Sequence, residues 1–398
     1  MVNDSAAAAA LHAVERVLSG DQPGFELVDG TIDGPVERFV VVPARGMPRL
    51  LLPLPTPAMR AALGSFVGDR PWAGLASPLI RAAARVGRPL RVSRELSLRS
   101  GSATMSPLRA LLASVLGRDD FHLALRLSFG RPNAKTVVAA ISGSGEILCF
   151  AKIGSETMTD DLVAHESRIL ERFAGTADSP VLMPRRLYAD RWAGGGNVLI
   201  TEPLQLEPLP RHAPAVHRAA DAFAAASLVS SGTLRDSDYW RRIAERIAGI
   251  GENGATGAGI GDTIERIEAA WGGTGLDFGA SHGDWSRANV GLVGGRVAAL
   301  DWERCTDLAP RGIDIAHFAV LETSSRSRGR SLDIERVAGS TRQYLEEAGR
   351  PPDDAKPLVI LAFLEMVVRF MTAQRAGLRT ADSKFEPALQ AGLQNWSA

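Results

Sequence analysis

Residues 280–290 read ASHGDWSRANV, and residues 297–303 read VAALDWE. Three polar residues, His282, Asp284 and Asn289, stand close together among small neighbours in the first stretch. Between the two stretches lies Gly294–Gly295, flanked by β-prone runs. A two-residue Gly-Gly loop predicts a tight hairpin, because glycine reaches the positive φ that such turns need. If Val293 faces Arg296, then Asn289 faces Leu300 and lies beside Asp301, within reach of a cross-strand neighbour. An amide oxygen and a carboxylate at the open end of a hairpin form a hard oxygen site, suited to Mg2+, which takes few protein ligands and fills its shell with phosphates and water. The same residues also read as an Asx-type turn closing the hairpin.

A second pairing is suggested upstream. The runs at 121–129, 136–142 and 147–153 are strand-like, joined by GRPNAK and by the turn GSGE. The stretch that follows predicts a helix over 159–173, with Thr159 as N-cap and Asp160 and Asp161 in the favourable first turn. Leu162, Ile169, Leu170 and Phe173 mark its apolar stripe, and Glu166 falls on the same face. A carboxylate there needs a cation. Lys152 shares a strand face with Leu148 and Phe150 and offers one; otherwise Glu166 stays at the edge of the stripe in water. Residues 197–204 read as another strand, so a small antiparallel sheet carrying one helix is expected. After about residue 205 the pattern is mostly helical, interrupted by the Gly-rich connector GENGATGAGIGD.

Composition narrows the function classes. The 398 residues are 45% hydrophobic, enough for a sizeable core in two or three domains. Lys and Arg total 45 and Asp and Glu total 45, so overall charge points to neither nucleic acid nor membrane. Cys149 and Cys305 supply no disulfide framework and no zinc spacing, and read as reduced thiols of a cytoplasmic protein. The N-terminus reads as an Ala-rich helix rather than a signal peptide. The most apolar run, 357–371, is interrupted by Glu365 and Arg369 and is shorter than a membrane span, so a buried core helix is expected.

Residues 1–117 read as a separate small unit. Its features are a hairpin turning at 44–46, helices near 57–67, 77–87 and 106–116, and an arginine-rich stretch at 81–100 that is either a solvated face or a basic docking face.

HGDWSRAN followed by LDWE resembles the catalytic and metal-binding motifs of the aminoglycoside phosphotransferase and choline kinase-like family, over roughly 120–385. The resemblance implies an α+β, bilobal protein-kinase-like fold: an N-terminal α/β extension (1–117), a small antiparallel lobe (118–204) and a helical lobe with the catalytic loop (205–398). It implies an ATP- and Mg2+-dependent phosphotransferase acting on a hydroxyl of a small molecule, such as a sugar, amino sugar or aminoglycoside. By the same resemblance Asp284 takes the acceptor proton, and Asn289 and Asp301 hold Mg2+. Lys152 contacts the α- and β-phosphates and is positioned by Glu166, and the backbone around Glu202–Leu204 meets the adenine. His282 supports the loop and Asp314 braces it. Trp285 and Trp302 either face a sugar ring or pack the lobe.

The chain departs from the pattern at the phosphate loop. FGRPNAK offers Gly130 alone, with Arg131, Asn133 and Lys135 as further phosphate contacts. That departure supports a second reading, a non-catalytic nucleotide-binding module acting through the extension. The extension bears a loose similarity to the cap of maltokinase-like enzymes. A protein kinase is the third reading, opposed by the short stretch after Asp301 and the missing A-P-E motif.

Overall fold

The computed structural model describes residues 4–43, 48–67, 94–128, 135–154, 156–173, 179–250, 260–327, 332–375 and 385–396. The expected turn at 44–46, the expected helix near 77–87 and Gly130 lie outside these residues. The chain divides into two units, the first holding the described residues up to 173 together with 184–203, the second holding 179–183 and everything described after 204.

The first unit runs α1 (Asp4–Ser19), β1 (Phe25–Asp29), β2 (Glu37–Val42), β3 (Leu50–Leu52), α2 (Thr56–Val67), β4 (Arg94–Ser100), α3 (Pro107–Leu116), β5 (Phe121–Arg126), β6 (Thr136–Ser142), β7 (Ile147–Ile153), α4 (Thr157–Arg172), β8 (Arg186–Arg191) and β9 (Asn197–Thr201). Among the described residues its nine strands form one sheet in the order β1-β4-β2-β3-β5-β6-β7-β9-β8, every pair antiparallel. The sheet is therefore much larger than the one expected. It does not break at residue 117: Leu50 and Leu51 of β3 pair with Arg126 and Leu125 of β5. Nor does the core break there. Val14, Val17 and Leu18 of α1 and Leu108 and Leu112 of α3 share one buried cluster with Leu123, Leu125, Val138, Ala151 and Ile200.

Of the arginine-rich stretch 81–100, residues 81–93 lie outside the described residues and the rest is β4. β4 is a strand between β1 and β2, because Leu96 and Leu98 alternate toward the core while Arg94 and Arg99 bond to Asp29 and Glu26 of β1. The α4 cap is also corrected. The N-cap is Glu156, and Thr159 sits at N3, where its hydroxyl accepts the Glu156 N–H at 3.0 Å, a capping box with the usual residue types exchanged.

The second unit runs α5 (Pro214–Ala226), β10 (Ser230–Thr233), α6 (Asp238–Ile250), α7 (Ile260–Trp271), β11 (Gly275–Ser281), β12 (Val290–Val293), β13 (Arg296–Ala299), β14 (Thr306–Pro310), α8 (Ile313–Ser327), α9 (Ile334–Glu347), α10 (Ala355–Arg375) and α11 (Phe385–Asn395). A three-stranded sheet, β10-β11-β14, lies among the helices, and β12 and β13 form a separate hairpin. α10 is the centre of the unit: it packs against α8, α9, α6 and α11, and Leu358 to Leu364 are fully buried. It is longer than its sequence suggested. The helical stretch 352–375 is long and apolar enough to cross a membrane by length and composition, and 78% of its apolar window is buried inside the fold. Each helical unit thus packs as an amphipathic or wholly buried element around one core. An α+β chain with a sheet unit followed by a helical unit is the fold class expected.

Candidate active site

The 282–289 loop is fixed from both ends. β11 delivers Ser281 to it, and β14 pairs with β11 through Phe278 and Pro310, which brings the start of α8 alongside. From there Asp314 accepts hydrogen bonds from the Ser281 hydroxyl at 2.9 Å, the His282 N–H at 2.7 Å and the Gly283 N–H at 3.0 Å. Burial pushes the Asp314 carboxyl up to about 6, against the pull of the three donors, while Glu365 adds to the rise. Gly283 is required at the turn. Its φ is +74°, and a Cβ would meet the Arg304 carbonyl oxygen at 2.4 Å.

His282 is fully buried. Its Nε2 lies 2.9 Å from the Leu300 carbonyl, its Nδ1 takes the Asp284 N–H at 3.2 Å, and its ring meets Trp285 and Trp302 edge-on. The Trp302 Nε1–H donates to the Ala299 carbonyl at 2.9 Å. Both tryptophans have no exposed surface, so they fill the unit and face no ligand.

The hairpin forms in the expected register: Val293 pairs with Arg296, Val290 with Ala299, and the Leu300 N–H donates to the Asn289 carbonyl at 2.8 Å. It is gripped on both edges. Leu182 bridges β13 at Ala298, and the Glu207 backbone bonds both ways with Leu292. Asn289 turns its Nδ2 to the Asp284 carboxylate at 2.8 Å and to the Asp284 carbonyl at 3.0 Å. Asp301 follows the hairpin with φ +59° and ψ +59°, a left-handed conformation uncommon outside glycine and costly by about 1–3 kcal/mol. It lies near enough to Asp284 to act on its ionisation. Desolvation raises the Asp284 carboxyl above the ordinary range, Arg369 opposes it, Asp301 adds to it, and Arg304 and Asn289 oppose it. Asp284 keeps part of its surface open to solvent.

In the sheet unit, Lys152 Nζ lies 2.5 and 2.7 Å from the two Glu166 carboxylate oxygens. The Glu166 side chain is 1% exposed and that of Lys152 12%. Lys152 is held on β7 between Val137 of β6 and Leu199 of β9. Lys135 is buried at the start of β6. Glu202 bonds its N–H to the Arg185 carbonyl at 2.9 Å and its carboxylate to the Arg185 guanidinium, and Leu204 begins the second unit.

The sequence assigned no site role to Arg369 and Arg304, which act on Asp284, nor to Glu365 and Arg246, which act on Arg369 and on each other. Arg369 donates to the Gly283 carbonyl at 2.6 Å and to Glu365 at 3.1 Å; Glu365 also accepts from the Tyr239 hydroxyl at 3.0 Å. Arg304 ends the 3-10 turn after Asp301, and Arg246 comes from α6. The available signal was Glu365 and Arg369 four residues apart inside an apolar run: charge in such a run is retained only if paired or used.

No family model matches the chain, and no curated protein matches it by sequence. Among solved structures, similar chains include aminoglycoside phosphotransferases and an ethanolamine kinase. A thermostable mutant of aminoglycoside phosphotransferase APH(4)-Ia in apo form is 15% identical, with 72% of this chain and 96% of that chain covered and a TM-score of 0.47. The GDP complex of wild-type aminoglycoside 2'-phosphotransferase-IIIa is 12% identical, with 72% and 95% covered and a TM-score of 0.47. A Plasmodium vivax ethanolamine kinase is 12% identical, with 69% and 81% covered and a TM-score of 0.47.

Proposed function

We propose that the protein transfers the γ-phosphate of ATP, with Mg2+, to a hydroxyl of a small molecule. The observation that carries this reading is the 282–289 loop: Asp314 clamps it, Asn289 bonds to Asp284, and Asp301 is close enough to raise the proton affinity of Asp284. A raised carboxyl in a partly open site is what a base needs to take a hydroxyl proton as transfer proceeds.

Asn289 and Asp301 fit a divalent cation. Both offer oxygen, and the like-charge contact between Asp301 and Asp284 is relieved when a cation binds one of them. Mg2+ held there supplies charge neutralisation to the phosphates. Lys152 of the sheet unit, oriented by Glu166, binds the α- and β-phosphates; Lys135, and Gly130 outside the described residues, contribute to phosphate contact. The backbone at Glu202–Leu204 meets the adenine. His282 and Asp314 hold the loop and take no part in proton transfer. The acceptor is a soluble small molecule, and the working compartment is the cytoplasm.

The test is Asp284→Asn. The amide keeps the shape and cannot accept the proton, so Mg·ATP affinity is kept while acceptor-dependent ADP release falls about 10²- to 10⁴-fold. Unchanged turnover removes Asp284 from the mechanism. Mg·ATP binding with no transfer to any acceptor of a broad panel favours the non-catalytic module instead.

A further inference from the structure

Asp284 follows a residue that cannot aim it. Gly283 stands at φ +74°, and glycine takes positive and negative φ about equally readily, so residue 283 by itself leaves the next peptide plane free to turn. That plane is pinned from outside at both ends. Its N–H, the Asp284 amide, donates to His282 Nδ1 at 3.2 Å. Its C=O, the Gly283 carbonyl, accepts from Arg369 Nη1 at 2.6 Å. The first bond spans two residues, whereas the second arrives from α10, 86 residues away. Asp314 takes the two preceding N–H groups, those of His282 and Gly283, so the carbonyl is left to Arg369.

Arg369 is itself held in place. Glu365, one turn back on α10, accepts from Arg369 Nη2 at 3.1 Å, and its other oxygen accepts the Tyr239 hydroxyl of α6 at 3.0 Å. His317 Nε2 of α8 lies 3.5 Å from the same Glu365 oxygen that Arg369 uses. A Glu–Arg pair four residues apart is complete within its own helix. Here one guanidinium nitrogen serves that pair and another is extended to the loop. The Arg369 side chain is 20% exposed and that of Glu365 10%, so the bonds are largely shielded from water, where a charge-assisted hydrogen bond is strong.

Resting on the phosphotransferase reading, we propose that Arg369 is a positioning residue for the transfer step: anchored by Glu365 and Tyr239, it holds the Gly283 carbonyl and so sets the direction in which Asp284 presents its carboxylate to the acceptor hydroxyl. It acts through the 283–284 peptide and not by contact with the reacting atoms. With Arg369 removed the plane turns, His282 loses the Asp284 N–H, and the carboxylate leaves the aligned geometry. A misplacement of about 1 Å costs about 100-fold in rate.

Three variants test this. Arg369→Lys can still donate to the carbonyl. Arg369→Met combined with Glu365→Gln removes the donor, strands no carboxylate and keeps an amide oxygen for Tyr239. Arg369→Gln can bond to Glu365 but is too short for the loop, and it replaces the double variant if that one does not fold. Hydrogen–deuterium exchange is followed on the full, nucleotide-free chain, and ADP release is measured with glucose, glucosamine, ethanolamine and hygromycin B. In the double variant the Asp284 amide exchanges about 10-fold faster or more, while α8 and α10 keep wild-type rates. Mg·ATP affinity and the KM for ATP are unchanged, and kcat falls about 10- to 100-fold. Arg369→Lys restores most of both. If none of these acceptors turns over, exchange alone decides. The inference is overturned if the double variant exchanges Asp284 as the wild type does, if exchange rises throughout α8 and α10 along with the loop, or if the KM for ATP changes in place of kcat. Wild-type protein that binds no Mg·ATP, with the Asp284 amide still loosened by the double variant, sinks the phosphotransferase reading and leaves the hold of Arg369 on the loop standing.

Discussion

Lys152 and Glu166 show how much a single charge depends on its partner. Glu166 is buried against the apolar stripe of α4, and both of its oxygens are taken by Lys152. Replacing Lys152 with Met leaves that carboxylate in the core with its main cation gone, and loss of one partner of a buried pair costs about 3 kcal/mol or more. Lys152→Met is therefore expected to lower the urea midpoint and to abolish ADP release together. The double variant Lys152→Met, Glu166→Leu removes the orphaned charge, so most of the stability returns while activity stays lost. A double variant that recovers activity means that Lys152 serves the fold alone. This pair was legible in the sequence because two periodicities, alternation on β7 and the helical stripe of α4, point both side chains inward. Arg304 was not legible, because only the fold of the segment after Asp301 brings its backbone beneath Gly283.

Helices and strands extend the same reasoning. The β12–β13 hairpin was readable down to its register, since Gly294–Gly295 fixes the loop and the loop fixes every pair. β8, half exposed along its length, and the short β10 and β14, which pair with the sequence-distant β11, left weaker marks. The α5–α9 contact supplies a pH-dependent element. His217 on α5 is 2% exposed and stacks on Tyr344 of α9 with ring centroids 4.1 Å apart. Burial pushes its pKa down to about 4 from an ordinary value of 6.5. Between those values the unfolded chain binds a proton that the folded chain does not, so stability is present above 6.5 and is lost as pH falls toward 4. From pH 7 to pH 5 this removes about 2 kcal/mol. The urea midpoint of His217→Gln should therefore fall less over that interval than the wild-type midpoint. Equal falls in both proteins place the acid sensitivity elsewhere, and buried His317, also depressed by desolvation, is the next residue to replace.

At the scale of the whole chain, α1, β1 to β4 and α3 share the sheet and the core of the first unit. The sequence suggested a boundary near 117 because composition shifts there, and composition carries no information about which strands pair. Sheet and core both run across that point. A chain beginning at Gly117 would lose α1, α2, α3 and four of the nine strands, and would expose Leu123 and Leu125. It is expected to show no cooperative unfolding transition and to aggregate. A truncated chain that melts sharply and binds Mg·ATP restores the separate cap.

The strand order also sets a timetable for synthesis. Among the described residues β1 pairs with β4 alone, about seventy residues downstream, and β2 pairs with β4 as well. β3 waits for β5, and β7 waits for β9, which ends at Thr201. Half the protein must therefore leave the ribosome before the first strand pair and the last are both closed, and non-local pairing of this kind is slow. Until then, Phe39, Val41 and Leu51 wait in a nascent chain with no sheet to cover them. During translation this stretch is one that a holding chaperone would cover.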